Sequence, residues 1–169
     1  MNKVSFTQKD MITFQKNLRK LNHTITVAES CTGGLIASKI TSISGSSDIF
    51  KGSIVTYANI VKEIELGVKK DTMIQYGVVS KEVVKQMLQG VIHKFGSNYA
   101  IAVSGIAGPT GATQTKSVGT VVIGICDNMG FYDINEYHFD GSRIDVQKQA
   151  TNTSLKKISK FVQNCLDKL

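Results

Sequence analysis

Thr26-Val-Ala-Glu-Ser30-Cys-Thr-Gly33-Gly34-Leu-Ile36 is the stretch from which the fold can be read. The β-branched run Thr24 to Val27 predicts a buried strand. Leu35, Ile36, Ile40 and Ile43 then recur at helical spacing. Between them a hydroxyl, a thiol, a second hydroxyl and two glycines occupy a strand-to-helix turn. Such a turn leaves the first amides of the helix unpaired and points the positive end of its dipole outward. An anion can bind there, or a nucleophile can attack a carbonyl whose oxygen becomes negative.

Working outward, Met11, Phe14, Leu18 and Leu21 predict an amphipathic helix ending near Asn22-His23. After the Ser30 unit, closed by Ser44-Gly45-Ser46-Ser47, residues Phe50 to Tyr57 read as a second strand. Asn59 is expected to cap a short helix through Lys62, Ile64 and Leu66, stopped by Gly67. Residues 69–79 read as irregular. Ser80 is the expected cap of a long helix ended by Gly96. Tyr99 to Val103 is a buried strand running into the glycine-rich loop Ser104 to Gly111. Val118–Ile125 and Phe131–Phe139 predict a hairpin across Asp127-Asn-Met-Gly130, and an amphipathic helix runs from Ile144 to the end. Helices alternating with strands before a hairpin predict one α/β domain over residues 1–169, a three-layer α/β/α arrangement with a mixed sheet.

The 169 residues suffice for one substantial core, and 41% hydrophobic with 20% charged residues excludes a disordered chain. No apolar run reaches membrane-spanning length, and the Met1-Asn-Lys-Val-Ser5 start lacks the apolar core of a signal peptide. Cys31, Cys126 and Cys165 are odd in number and lack metal-ligand spacing. A reduced, cytoplasmic protein without metal or cofactor is expected. The net charge of +7 comes from lysines spread over helix faces, Lys3, Lys9, Lys16 and Lys20 among them. They form no basic stripe interleaved with aromatics, so neither nucleic acid nor membrane is an expected partner.

Three constellations carry chemistry. Ser30 fits a nucleophile at a strand-to-helix turn, exposed and strained, with turn amides as an oxyanion hole. It fits a simple helix cap equally well, as does Thr32. Cys31 is a rival nucleophile at the helix start, but none of His23, His93 and His138 forms a motif with it. In Tyr57-Ala-Asn59-Ile-Val-Lys62, a lysine in the first helical turn is pushed toward neutrality and can serve a serine as general base. Tyr57 could bond that lysine or relay a proton. The bland alternative is an exposed lysine beside Glu63. The loop from Ser104 through Gly105, Ala107, Gly108, Thr110 and Gly111 can form an anion-binding nest or a tight structural turn. Arg143 offers a bidentate phosphate partner.

Together these blocks resemble a known family. Ala28-Glu-Ser-Cys-Thr-Gly-Gly34, Val55-Thr-Tyr57-x-Asn59-x-x-Lys62, Val78-Val-Ser80, Ser104-Gly-Ile-Ala-Gly-Pro109 and Lys116-x-Val-Gly-Thr-Val121 are similar to the CinA C-terminal domain family, from about residue 8 to 165. The resemblance implies an amidohydrolase that converts nicotinamide mononucleotide to nicotinate mononucleotide and ammonia, in pyridine nucleotide salvage. It further implies catalysis by Ser30, Lys62 and Tyr57, a family arginine at Arg143, and assembly into homo-oligomers. Substrate contacts are expected from Thr32, Gly33, Gly34, Asn59, the 104–111 loop and Arg143. The chain departs from the family pattern at Thr110, Ser117, Ser142 and Gln147, where aspartate, proline, aspartate and arginine are usual. These departures fall around the expected ligand loop and bear on substrate choice more than on the chemical step. They also motivate a rival reading, a non-catalytic nucleotide- or partner-binding module. A DNA-associated competence protein is a third.

Overall fold

A computed structural model describes residues 5–168; the Met1 start and Lys3 lie outside them. The chain runs α1 (Gln8–Leu21), β1 (Ile25–Glu29), α2 (Leu35–Thr41), β2 (Phe50–Val55), α3 (Asn59–Leu66), α4 (Lys70–Tyr76), α5 (Lys81–Phe95), β3 (Tyr99–Gly105), β4 (Thr120–Asp127), β5 (Tyr132–His138) and α6 (Arg143–Leu166). The strands form one sheet in the order β2-β1-β3-β4-β5. β1 is parallel to both β2 and β3, while β3–β4 and β4–β5 are antiparallel. The sheet is mixed, as the sequence predicts.

Alternation along the strands sends side chains to two cores. Ile25, Val27, Ile101, Val103, Ile123 and Ile125 meet Phe14 and Leu18 of α1, Ile36 and Ile40 of α2, and Ala150, Leu155, Ile158 and Val162 of α6. Ala28, Ala100, Ala102 and Val122 face the other way, onto Val84, Met87, Leu88 and Val91 of α5, with Leu66 and Met73 beside them. This is the three-layer α/β/α arrangement. Gly90 lies inside α5, where glycine costs about 1 kcal/mol relative to alanine. A Cβ there would stand 2.1 Å from the Leu66 carbonyl oxygen. The glycine therefore lets α3 cross α5 backbone-close, which seats α3 against the end of β1.

Three expectations need correction. Residues 69–79 are not irregular throughout, because α4 occupies Lys70–Tyr76. Its seven residues bury Met73 alone, so no apolar period marks it in the sequence. It is fastened instead by Gln86 of α5, which accepts from the Lys69 amide and donates to Thr72 Oγ1. Asn59 does not cap α3; the cap position is Ala58, which has no side-chain acceptor to offer. Neither Ser30 nor Thr32 caps α2, whose cap position is the left-handed Gly34. Ser80 does cap α5, accepting from the Val83 amide. No helix among the described residues is long and apolar enough to cross a membrane.

Candidate active site

All five residues of β1 are buried, including Glu29 at its end. A buried carboxylate needs several donors, and the turn beyond it supplies them. Thr32 Oγ1 and the Gly34 and Ile36 amides donate to one Glu29 oxygen, at 2.7, 3.1 and 3.1 Å, and the Ala37 amide donates to the other at 2.9 Å. Glu29 is thus the internal anion at the start of α2. This corrects the expectation that a ligand anion binds there. It also removes Gly34 as an oxyanion donor. Gly33 is removed as well, since its amide closes the turn onto the Ser30 carbonyl. The Cys31 and Thr32 amides are the ones in this turn that donate to no protein oxygen among the described residues.

Ser30 itself is not strained. Left-handed backbone in the turn falls on Gly33 and Gly34, and Asn22 is the only described non-glycine residue with positive φ. Ser30 is also nearly enclosed rather than exposed, at 9%. Its amide donates to Val103 of β3, tying the turn to the sheet.

Lys62 reaches this serine from the first turns of α3. The residue is 1% exposed, and its Nζ stands 2.7 Å from the Thr56 carbonyl and 3.4 Å from Ser30 Oγ. The Thr56 amide in turn donates to the Glu29 carbonyl, so the ends of β1 and β2 hold the pair in place. Burial lowers the Lys62 pKa from lysine's ordinary 10.5, and no carboxylate bonds it among the described residues. The exposed-lysine alternative is excluded. Burial, with the Glu29 charge adding to it, pushes the Cys31 thiol up to about 12. A thiol in that state is protonated at neutral pH and is a poor nucleophile, which leaves the hydroxyl of Ser30 as the candidate.

Tyr57 is 60% exposed, and its hydroxyl accepts from Arg143 Nη2 at 2.5 Å rather than from Lys62. The Tyr57–Lys62 bond, one of the two roles the sequence allows Tyr57, is absent. Arg143 also donates through Nη1 to the Gly108 carbonyl at 2.8 Å, bridging α6, the glycine-rich loop and the end of β2. Ser142, a departure from the family pattern, caps α6 in a reciprocal pair with Asp145.

Ser30, Lys62, Tyr57, Asn59, Ser104, Gly105, Ala107 and Arg143 surround one cavity of about 190 Å3, as the sequence grouping anticipates. Cys31, Val78 and Val79 complete its wall. Thr32, Gly33, Gly34, Gly108, Thr110 and Gly111 do not line it; Thr110 and Gly111 are exposed in the loop beyond. The Ser104 hydroxyl is spent on the Val78 carbonyl, at 2.9 Å, so it shapes the wall instead of meeting a ligand. At Gly105 a Cβ would approach the Cys31 sulfur and the Thr120 carbonyl oxygen to 3.0 Å and Val121 Cγ2 to 2.7 Å. β3 therefore passes directly behind the nucleophile turn. A larger cavity of about 550 Å3 between α1 and α6 is walled by Lys9, Asp10, Thr13, Lys156, Ser159 and Lys160. Sequence reasoning missed Glu29, whose signal was a lone acid at the end of an otherwise uncharged buried strand. It also missed that Gln147 Nε2 donates to the Cys31 carbonyl at 2.8 Å.

A three-layer α/β/α protein with a serine and a buried lysine at the end of its central strands is the class defined by this geometry. Its family is the CinA C-terminal domain family, to which the chain belongs: the family model matches residues 8–162. A CinA-like protein of Syntrophomonas wolfei is 45% identical over 140 residues, which are 83% of this chain and 33% of that protein. A CinA-like protein of Fervidobacterium nodosum is 43% identical over 148 residues, 88% of this chain and 36% of that protein. The chain thus spans about a third of the length of these curated relatives. Among solved structures, the competence/damage inducible protein CihA from Agrobacterium tumefaciens aligns with a TM-score of 0.86 at 32% identity, covering 95% of this chain and 99% of the other. The competence damage-inducible protein A from Klebsiella pneumoniae aligns with a TM-score of 0.87 at 28% identity, covering 90% and 94%.

Proposed function

We propose that the chain is a metal-independent amidohydrolase acting on the carboxamide of nicotinamide mononucleotide. The observation that carries this reading is the Lys62 amine, buried and lowered in pKa, 3.4 Å from the Ser30 hydroxyl. A neutral amine in that position can take the hydroxyl proton as Oγ bonds to the amide carbon. The Cys31 amide, at the cavity wall, holds the oxygen as it becomes negative. Lys62 then passes its proton to the amide nitrogen, the C–N bond breaks, and ammonia leaves. Water attacks the Ser30 ester, giving its proton to Lys62, and the carboxylate product departs as Oγ is reprotonated. Tyr57, a catalytic partner by the family resemblance, acts here with Arg143 at the mouth, where the two meet a ribose phosphate.

The substrate follows from the family resemblance, supported by a cavity sized for a planar amide head with the remainder of a nucleotide lying outside, against Arg143. The test is ammonia release from nicotinamide mononucleotide. Ser30→Ala is expected to abolish it while melting at the wild-type temperature; undiminished release would exclude serine catalysis. Wild-type protein that binds the nucleotide yet releases no ammonia would mark a binding module instead.

A further inference from the structure

Every peptide unit of the nucleophile turn can be accounted for by what holds it. The unit between Glu29 and Ser30 is fixed at both ends, by the Thr56 amide on its carbonyl and by Val103 on its N–H. The Ser30–Cys31 unit is fixed by the Gly33 amide, which donates to the Ser30 carbonyl. The Thr32–Gly33 unit is fixed by that same bond and by the Leu35 amide. The Gly33–Gly34 unit is fixed by Glu29 and by nothing farther away. The Cys31–Thr32 unit differs. Its carbonyl meets no backbone donor, and the bond that orients it comes from Gln147 of α6, 116 residues away in sequence.

In a trans peptide the carbonyl and the N–H point in opposite directions across a rigid plane. Fixing the Cys31 carbonyl toward α6 therefore fixes the Thr32 N–H away from α6. It also sets the ψ angle of Cys31, whose own amide donates to no protein oxygen among the described residues. We infer that Gln147 is a positioning residue: by donating to the Cys31 carbonyl it holds Cys31 in place, and so the geometry in which the Cys31 amide at the cavity wall receives the developing oxyanion. The Gln147 side chain is half-buried and uncharged, and it stands beside the cavity without lining it. It acts through the turn and does not touch the reacting atoms.

The inference rests on the amidohydrolase reading and makes a separable claim. Gln147→Met keeps the length of the side chain and removes the donor. In the full chain its kcat for ammonia release is expected to fall about tenfold with KM within twofold, the pattern of an interaction made only in the transition state. Covalent labelling of Ser30 by a fluorophosphonate, whose phosphoryl oxygen occupies the same oxyanion position, is expected to slow by a similar factor. Gln147→Arg, which restores an N–H donor, is expected to recover most of the labelling rate. Labelling and kcat within twofold of wild type in a Gln147→Met protein that melts normally would overturn the assignment. So would a Gln147→Arg protein no faster than Gln147→Met. If wild-type Ser30 neither labels nor supports ammonia release, the amidohydrolase reading falls and this inference falls with it. Labelled wild type with an unaffected Gln147→Met would remove this inference alone.

Discussion

Two helices begin at the edge of the Ser30 cavity, and they treat charge in opposite ways. α2 starts on a buried carboxylate: Glu29 takes three of its first amides and the Thr32 hydroxyl, so its positive end is neutralised from inside the chain. α3 starts on Ala58, without a side-chain cap and with no acid in its first turn, and carries a buried lysine soon after. The first arrangement gives a rigid turn that presents a hydroxyl. The second leaves a positive helix end near an amine, which acts in the same direction as burial and favours the neutral base. On the amidohydrolase reading, the nucleophile is thereby held by a stabilising anion, and the base is kept reactive by withholding one.

Substitutions that blur this contrast are expected to have graded effects. Lys62→Met should lower ammonia release by at least about 1000-fold, the loss expected for a general base, in a protein that still melts cooperatively; steady-state assay with a melting scan checks both parts. Glu29→Ala would leave three amides and a hydroxyl without a buried acceptor. Denaturant unfolding should record a loss of about 3–4 kcal/mol, and Glu29→Gln a smaller loss of about 2 kcal/mol. Ala58→Asp would give α3 the cap it lacks. It should stabilise the fold by up to about 1 kcal/mol while moving the rising limb of the pH–rate profile upward, because the added negative charge favours protonated Lys62. An unmoved limb would detach Lys62 from the rate.

The subtlest effect is on stability against pH. The unfolded chain keeps the Lys62 proton up to about 10.5, whereas the folded chain releases it earlier. Between those two values the unfolded state binds more protons, so wild-type stability climbs with pH relative to Lys62→Met. The climb amounts to about 1.4 kcal/mol for each pH unit of lowering. It is absent below the folded pKa, and paired urea titrations from pH 7 to 10 would detect it. Catalysis has the same sign, since raising the pH raises the neutral fraction of the base.

Much of this contrast was legible before any coordinates. The turn from β1 to α2, the long α5 with its Ser80 cap, and the β4–β5 hairpin each carry local signals: alternation, helical spacing, a cap, a glycine. Ser30 and Lys62 were legible because both lie on such marked elements. α4 was not, since a short helix with one buried methionine has no period to detect. Glu29 was hidden by its neighbours, an acid in a buried strand being meaningful only once its donors are seen to fold back on it. The Gln147–Cys31 and Arg143–Tyr57 bonds join residues more than eighty positions apart, and no local pattern encodes them. The glycine-rich loop was read too generously. Its first residues build the cavity wall, and the rest turns outward to solvent.

Gly105 gives the cavity one unyielding side. With Val121, the Thr120 backbone and the Cys31 sulfur already at contact range for a single added carbon, nothing larger than hydrogen fits there without shifting one of them. Val78 and Val79, in the short connection between α4 and α5, form another part of the wall. On the amidohydrolase reading, room for bulkier amides would come from the side chains that line the cavity, Val78 and Val79 among them, and not from Gly105.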